Sequence, residues 1–324
     1  KTTKDLLMPR ELPSFTGLTS IIDNVGSIGN KGYEFAVEGD PVSSKNFKWH
    51  SGFNISFNKT TVLDLGDAKM IGYKSGGSGQ GTNSPFMYLV KGEPFGQMRG
   101  WRYLGVWKES EATEAAKYGQ LPGDPHFDDI NNDGKINKLD TTLIGNSMPK
   151  FIFGWNNQIT YKNFDLFIQI QGKQGNDLFN VARIALEATD GTSARLLNRW
   201  TPQNQNSDIP GIIDARTREE AHLVNQISFP ASTGNTNSRW IEDGSYVRLK
   251  NITLGYNFPK SLLKKILINN LKLYVSATNL ITITKYKGFD PEVSSFNGND
   301  AQIGSDYNNY PQSKIFNVGI NLSF

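Results

Sequence analysis

Phe151-Ile-Phe-Gly-Trp-Asn-Asn-Gln-Ile-Thr-Tyr161, followed by Lys162-Asn163 and then Phe164-Asp-Leu-Phe-Ile-Gln-Ile-Gln171, is the stretch that decides the fold. Phe151, Phe153, Trp155, Ile159 and Tyr161 fall on one face of an extended chain, with Ile152, Gly154, Asn156, Gln158 and Thr160 on the other. After the tight turn, Phe164, Leu166, Ile168 and Ile170 alternate with Asp165, Phe167, Gln169 and Gln171. A period of two marks strands, and a connection this short fixes the register of an antiparallel pair. The second face is mostly amide, hydroxyl and glycine rather than another greasy layer. That suits a sheet with an apolar medium on one side and water on the other.

The same pattern recurs on either side. Tyr33, Phe35 and Val37 alternate with Glu34 and Glu38 up to Asp40-Pro41. Phe47, Trp49, Phe53, Ile55 and Phe57 oppose Lys48, His50, Gly52, Asn54, Ser56 and Asn58. Ile252, Leu254, Tyr256 and Phe258 alternate with Asn251, Thr253, Gly255 and Asn257. Residues 271–283 alternate again, and the chain closes on Phe316, Val318, Ile320, Leu322 and Phe324. Residues 86–90 and 97–107 read as a hairpin around 91–94, and 109–118 as a short helix. At the start, 1–7 is too short to judge, and Pro9 and Pro13 stop anything regular. About nine strands result by period-two counting.

The connections alternate between short ones (41–46, 91–94, 162–163, 259–270) and long ones (59–83, 108–150, 174–239, 284–312). Outer-membrane barrels have this alternation, with short periplasmic turns and long extracellular loops. The expected fold is an all-β transmembrane antiparallel β-barrel portion over 1–324. Residues 108–150, 174–239 and 284–312 form its extracellular loops. The alternative is a soluble, calcium-stabilised β-sandwich that binds glycans, with shorter strands and shorter loops at both ends.

Composition narrows the classes. Among 324 residues, 34 Lys and Arg face 31 Asp and Glu, a +3 balance that argues against a nucleic-acid groove and a polybasic membrane anchor. Cysteine is absent, which excludes disulfides and thiolate metal sites. No apolar run reaches the length of a spanning helix, a fact that does not bear on barrels. The opening Lys-Thr-Thr-Lys-Asp-Leu-Leu lacks an apolar signal region and reads as a mature piece or a fragment.

One loop carries candidate metal chemistry. In Asp129-Ile-Asn-Asn-Asp-Gly-Lys-Ile-Asn-Lys-Leu-Asp140, the oxygen-ligand positions of a calcium loop fall on Asp129, Asn131, Asp133, Lys135 (through its carbonyl), Asn137 and Asp140, with Gly134 at the bend. The last position departs from the EF-hand pattern, which has Glu there. The competing reading is a turn-rich surface loop, since Asn, Asp and Gly cluster in turns for backbone reasons alone.

Catalytic and nucleotide readings fare poorly. Residues 74–83 are Gly- and Ser-rich but lack the Gly-Lys-Ser/Thr ending of a phosphate cradle. His50, His126 and His222 are scattered, with no nucleophile or acid pair organising them. An enzyme is not expected.

Several motifs, weak singly and specific together, carry a family resemblance along nearly the whole chain. They are Asn24-Val-Gly-Ser-Ile-Gly-Asn-Lys-Gly-Tyr-Glu34, Pro122-Gly-Asp124 running into the acidic loop, Ile144-Gly-Asn, Pro149-Lys-Phe, Tyr161-Lys-Asn-Phe-Asp165 and Gln171-Gly-Lys-Gln-Gly-Asn176. Tyr246-Val-Arg-Leu-Lys-Asn251, Tyr274-Val-Ser-Ala-Thr-Asn-Leu280 and Gly288-Phe-Asp-Pro-Glu292 complete the set. Together they resemble the C-terminal part of SusC/RagA-family TonB-dependent transporters, and the terminal Phe324 resembles the assembly signal of such barrels. The resemblance implies a protein roughly three times this length, with a plug domain absent from this chain and a barrel of about 22 strands. It further implies residence in the Gram-negative outer membrane, in contact with its lipid. The implied activity is TonB-dependent active import of oligosaccharides or peptides with a SusD-like surface lipoprotein, TonB acting through the absent plug. Ca²⁺ would then be structural. The loop aromatics Tyr286, Phe289, Tyr307 and Tyr310 would be candidates for stacking on substrate or sealing against the lipoprotein.

Overall fold

The computed structural model describes residues 1–11, 20–74, 85–187, 193–211, 236–263, 268–293, 303–307 and 309–324. In chain order the strands are β1 (Thr2–Glu11), β2 (Ser20–Ser43), β3 (Phe47–Leu65), β4 (Met70–Lys74), β5 (Pro85–Val90), β6 (Gln97–Gly100), β7 (Tyr103–Val106), β8 (Pro125–Phe127) and β9 (Thr142–Asn146). They continue as β10 (Phe151–Tyr161), β11 (Phe164–Gln174), β12 (Asp177–Asn180), β13 (Ile241–Asp243), β14 (Tyr246–Asn257), β15 (Asn270–Thr284), β16 (Ser305–Asp306) and β17 (Ile315–Ser323). Eight of them form one antiparallel sheet in the order β1-β2-β3-β10-β11-β14-β15-β17.

Register puts the alternation to use. Trp155 stands opposite Phe53 and Ile170, and Ile159 opposite Trp49 and Leu166. Leu166 faces Leu254, Leu254 faces Val275, and Val275 faces Val318. Because opposed residues share a face, these rows of greasy positions lie on the same side of the wall, with Ile152 and Phe167 as exceptions on the other. Among the described residues no second sheet covers the greasy side. Phe35 is 63 % exposed and Val318 84 %, so this is no sandwich: the apolar side chains point away from the protein rather than at each other. The opposite side carries Asn54, Asn156, Gln169, Asn251, Ser276 and Asn317, a polar interior wall.

Aromatic rings mark both rims of the apolar belt. Phe47 lies 6.5 Å from Tyr161, and Phe164 lies 4.8 Å from Tyr256, beside the short turns. Phe57 packs 5.6 Å from Phe151 at the other rim. Ten residue steps separate Phe47 from Phe57. At about 3.3 Å per residue and a tilt of about 40° this gives a belt about 25 Å tall, the height of the apolar band of a membrane barrel. A polar spot within the belt is internally satisfied. Asn157 Oδ1 accepts from Trp49 Nε1 at 2.9 Å and Ser51 Oγ at 3.0 Å, and Trp155 Nε1 donates to Ser51 Oγ at 2.9 Å. Two indoles thus cover the polar atoms that lipid could not solvate.

Three expectations need correction. The strands on either side of 91–94 are not wall strands. β5 and β6 pair through Met87 and Met98, but they belong to a separate four-stranded sheet, β4-β5-β6-β9. With those two removed and β1 added, the wall holds eight described strands rather than nine, and one long excursion from β3 to β10 replaces the long-short-long series. Pro9 does not stop regular structure. It pairs with Ile22 inside β1. Pro13, residues 75–83 and His222 lie outside the described residues.

The packed core lies above the apolar belt, in the long connections and at the end of β3. Phe86, Met87, Met98, Phe179, Val181 and Trp240 form one buried cluster, and Val62, Leu65 and Leu89 another. Phe86 and Phe179 stack at 4.9 Å. Three small sheets, β4-β5-β6-β9, β13-β12-β16 and β7-β8, knit the long connections into a layer at one end of the wall.

Candidate functional site

The loop layer is held by buried charge as well as by grease. The helix Val181–Leu186 starts on Asn180, whose side chain caps it by accepting from Arg183 N. One turn on, Glu187 takes Arg183 Nε at 2.6 Å, Arg195 Nε at 2.8 Å and Arg239 Nη2 at 2.8 Å. Arg183 also reaches Glu242 at 2.8 Å. Three guanidiniums and two carboxylates are thereby tied together across segments far apart in sequence. Arg239 lies over the Trp240 ring at 4.3 Å, and its burial lowers its pKa. A cleft of about 380 Å³ opens beside this network, lined by Tyr103, Asp208, Arg239, Asp243, Lys285 and Lys287 among others. A second cleft of about 190 Å³ is lined by Leu186, Arg195, Phe289 and Asp306. Both carry charges of either sign, but the first presents mostly polar surface and suits a polar ligand, whereas the second presents mostly apolar surface between its charged groups.

A second latch ties the last long loop to the wall. Arg248 projects from the polar face of β14 and is 1 % exposed. Its guanidinium donates to Thr282 Oγ1 at 2.9 Å, Glu292 Oε2 at 2.8 Å and Asp290 Oδ1 at 2.6 Å. Asp290 also accepts from Glu292 N and Gln312 N, so the carboxylate gathers both ends of the 290–312 segment. Burial pushes the Asp290 carboxyl up, but the Glu292 N–H and the Arg248 guanidinium outweigh it and hold it below the usual carboxylate range.

The candidate ligand aromatics separate into two kinds. Tyr286 is 6 % exposed and donates to Asp306 Oδ2 at 2.6 Å; burial, first, and this carboxylate push its pKa up. Tyr307 packs against the Phe86–Phe179 cluster. Both are built into the layer. Phe289 and Tyr310, 74 % and 89 % exposed, keep open faces. His50 sits 2.8 Å from Asp40 on the polar side of the wall, and His126 stacks 3.4 Å from Trp107, its pKa lowered by burial.

In the acidic loop, Asn132 and Gly134 adopt the left-handed conformation, with φ of 57° and 78°. Asp129, Asn131, Asp133 and Asn137 turn to the loop's own backbone, each accepting N–H bonds. Asp129 takes Asp133 N and Gly134 N, Asn131 takes Asp133 N, Asp133 takes Lys135 N, and Asn137 takes Leu139 N. Asp140, fully buried, takes Ile130 N and Asn137 N. The Asn131 amide, at 2.9 Å, leads the influences that hold the Asp133 carboxyl below its ordinary range. Trp101 Nε1 donates to the Asn137 carbonyl at 2.8 Å and seats the loop on the layer. The donor set is all oxygen, which fits a hard cation, and each carboxylate oxygen has a second lone pair to offer. Among the described residues no three His, Cys, Asp or Glu groups are gathered around one point. An ion would have to draw Asp129, Asp133 and Asp140 inward.

Comparison with known proteins follows the fold. No protein-family model matches the chain. It is 35 % identical to the TonB-dependent receptor P3 of Formosa agariphila, over 99 % of this chain and 31 % of that protein. It is 26 % identical to the TonB-dependent receptor SusC of Bacteroides thetaiotaomicron, over 99 % of this chain and 29 % of SusC. The structure of the RagAB peptide transporter superposes with a TM-score of 0.74 at 25 % identity, covering 100 % of this chain and 32 % of that one. The chain spans about a third of the length of the curated relatives it matches.

Proposed function

Homologous along its whole length to TonB-dependent receptors, SusC among them, this chain is the C-terminal barrel portion of such a receptor, an integral outer-membrane protein, and we propose that the complete receptor imports oligosaccharides or peptides in a TonB-dependent manner. The observation that carries this reading is the uncovered apolar belt around a polar inner wall, with all long connections gathered at one mouth. In it, this portion supplies wall and surface loops, and a plug supplied by the rest of the receptor transmits the TonB pull. Its relatives are receptors and transporters rather than enzymes, in keeping with binding and gating as the whole of the task.

The layer of small sheets is the surface on which a SusD-like lipoprotein would seat, with Phe289 and Tyr310 as its open aromatic faces. Uptake of labelled oligopeptides and labelled oligosaccharides by cells expressing the complete receptor tests the proposal. Uptake of one class should fall to background both on deletion of the receptor and on inactivation of TonB. Uptake that persists in the TonB-deficient cells sinks it.

The acidic loop, in this reading, takes a structural calcium ion through Asp129, Asn131, Asp133, the Lys135 carbonyl, Asn137 and Asp140. Bound there, the ion would supply charge neutralisation between the three carboxylates and stiffen the rim. What supports this is the all-oxygen donor set on a backbone already bent at Asn132 and Gly134. Calcium added to the chelated receptor should raise its melting temperature by a few degrees, as expected for a ligand that binds only the folded state. Magnesium should do so weakly, and D129N/D133N should abolish the rise. An unchanged melting curve with calcium rules the site out.

A further inference from the structure

On the outward side of the wall, just where the apolar belt ends toward the long loops, Lys31 of β2 stands directly opposite Lys59 of β3. Two ladder steps below, Tyr33 faces Phe57 inside the belt. All four are exposed. Like charges directly opposed on a sheet face destabilise it, and an arrangement like this calls for a counter-charge.

The protein does not provide one among the described residues. Neither lysine makes an ion pair, and the one carboxylate on β3, Asp64, is occupied by Lys91 at 2.6 Å. Glu34, the nearest acid along β2, points to the polar inner side, where Ser56 Oγ donates to it at 3.4 Å. Above the lysines, Leu63 lies against Gly29, within 3.2 Å of where its Cβ would stand, and is itself exposed. The sequence of environments along the outward face is therefore aromatic, doubly cationic, then briefly apolar.

We propose that Lys31 and Lys59 form a binding site for a phosphate-bearing lipid of the outer leaflet. The level of the site selects the occupant. The belt below fixes the depth of the acyl chains, so the ammonium groups stand at the headgroup plane on the side from which the long loops emerge. A phosphate placed between them neutralises both, while the acyl chains of the same molecule lie along Tyr33, Phe57 and their neighbours. The proposal rests on the barrel reading, since only a membrane-embedded wall puts the two lysines at a headgroup plane.

The complete receptor, reconstituted in phosphatidylcholine nanodiscs doped with a bisphosphorylated glycolipid or with its dephosphorylated form, tests it by native mass spectrometry of co-retained lipid. Wild type should retain the phosphorylated lipid. K31Q/K59Q should lower that affinity about tenfold or more, from the loss of two juxtamembrane cations, whereas K31R/K59R should keep it. Heat-modifiable migration reports separately whether each variant is a folded barrel, and single K31Q and K59Q variants stand in if the double variant does not fold. Equal retention of the dephosphorylated lipid, or wild-type retention by the glutamine variants, overturns the proposal. Failure of the wild-type receptor to enter nanodiscs at all overturns the barrel reading instead, and the lipid site with it.

Discussion

Replacing Arg248 by methionine is expected to free the 284–292 segment from the wall while leaving the wall itself paired. Arg248 is 1 % exposed and donates to Thr282, Glu292 and Asp290. Methionine fills most of the volume but leaves the Asp290 carboxylate, 6 % exposed in its side chain, with only the Glu292 and Gln312 N–H groups for company. Breaking a buried, hydrogen-bonded charge pair by removing one member costs about 3–5 kcal/mol, because the survivor remains buried and uncompensated. Amide exchange from Tyr286 through Glu292 should accelerate by two orders of magnitude or more if that segment opens independently. Exchange along β14 and β15 should hardly change, since their backbone ladder from Tyr246 to Asn257 does not involve the guanidinium. Glu292→Gln should do far less, because Glu292 keeps about a third of its side chain in water. Unchanged exchange in R248M would mean that the aromatic and backbone contacts of the loop suffice, and that the ion cluster is not what holds it down.

How much of this was readable beforehand depends on the distance over which a signal acts. The wall was legible because its cause is local. Alternation at Phe151, Phe153 and Trp155 against Ile152, Gly154 and Asn156 fixes which side each residue faces before any partner is known. The misplacement of β5 shows where such reading stops. Phe86, Met87 and Leu89 are all buried, so the strand is greasy on both faces and alternates with nothing. That is the pattern of an element packed on two sides, not of a wall between lipid and water. Pro9 misled for a related reason: a proline removes one N–H from the ladder, and the pairing of its neighbours, Met8 with Asp23 and Arg10 with Ile21, carries the strand past it. The charge clusters were out of reach. Arg183 and Glu242 are 59 residues apart, and Arg248 and Asp290 are 42 apart. Only the Arg183–Glu187 spacing of four on one helix offered a hint. The motifs Tyr246-Val-Arg and Gly288-Phe-Asp-Pro-Glu were visible as separate words, and their meaning lies in their contact. The acidic loop sits between these cases. Its bend was readable at Gly134, but the left-handed Asn132 that precedes it was not.

Two neighbouring substitutions separate the faces of the wall most sharply. Ile168 lies near the middle of the membrane-facing run of β11, opposite Asn157 on β10 and Ile252 on β14. Gln169, the next residue, stands opposite Asn156 and Asn251 on the polar side. Arginine at 168 must push a guanidinium into hydrocarbon, at a cost of about 2–4 kcal/mol near the midplane of a membrane barrel. Arginine at 169 extends among amides into an aqueous interior and should be close to neutral. Urea unfolding of the complete receptor in lipid vesicles, with heat-modifiable migration as the readout of the folded barrel, should place I168R well below wild type and Q169R beside it. The comparison is strict because both variants carry the same new charge, one residue apart, on the same strand. The added charge is the same in both, and the strand propensity lost with Ile168, at most about 1 kcal/mol, is smaller than the expected difference, so the direction of the side chain dominates the comparison. Equal losses would mean that neither face meets lipid, and a larger loss for Q169R would invert the assignment of inside and outside for every strand registered to β11.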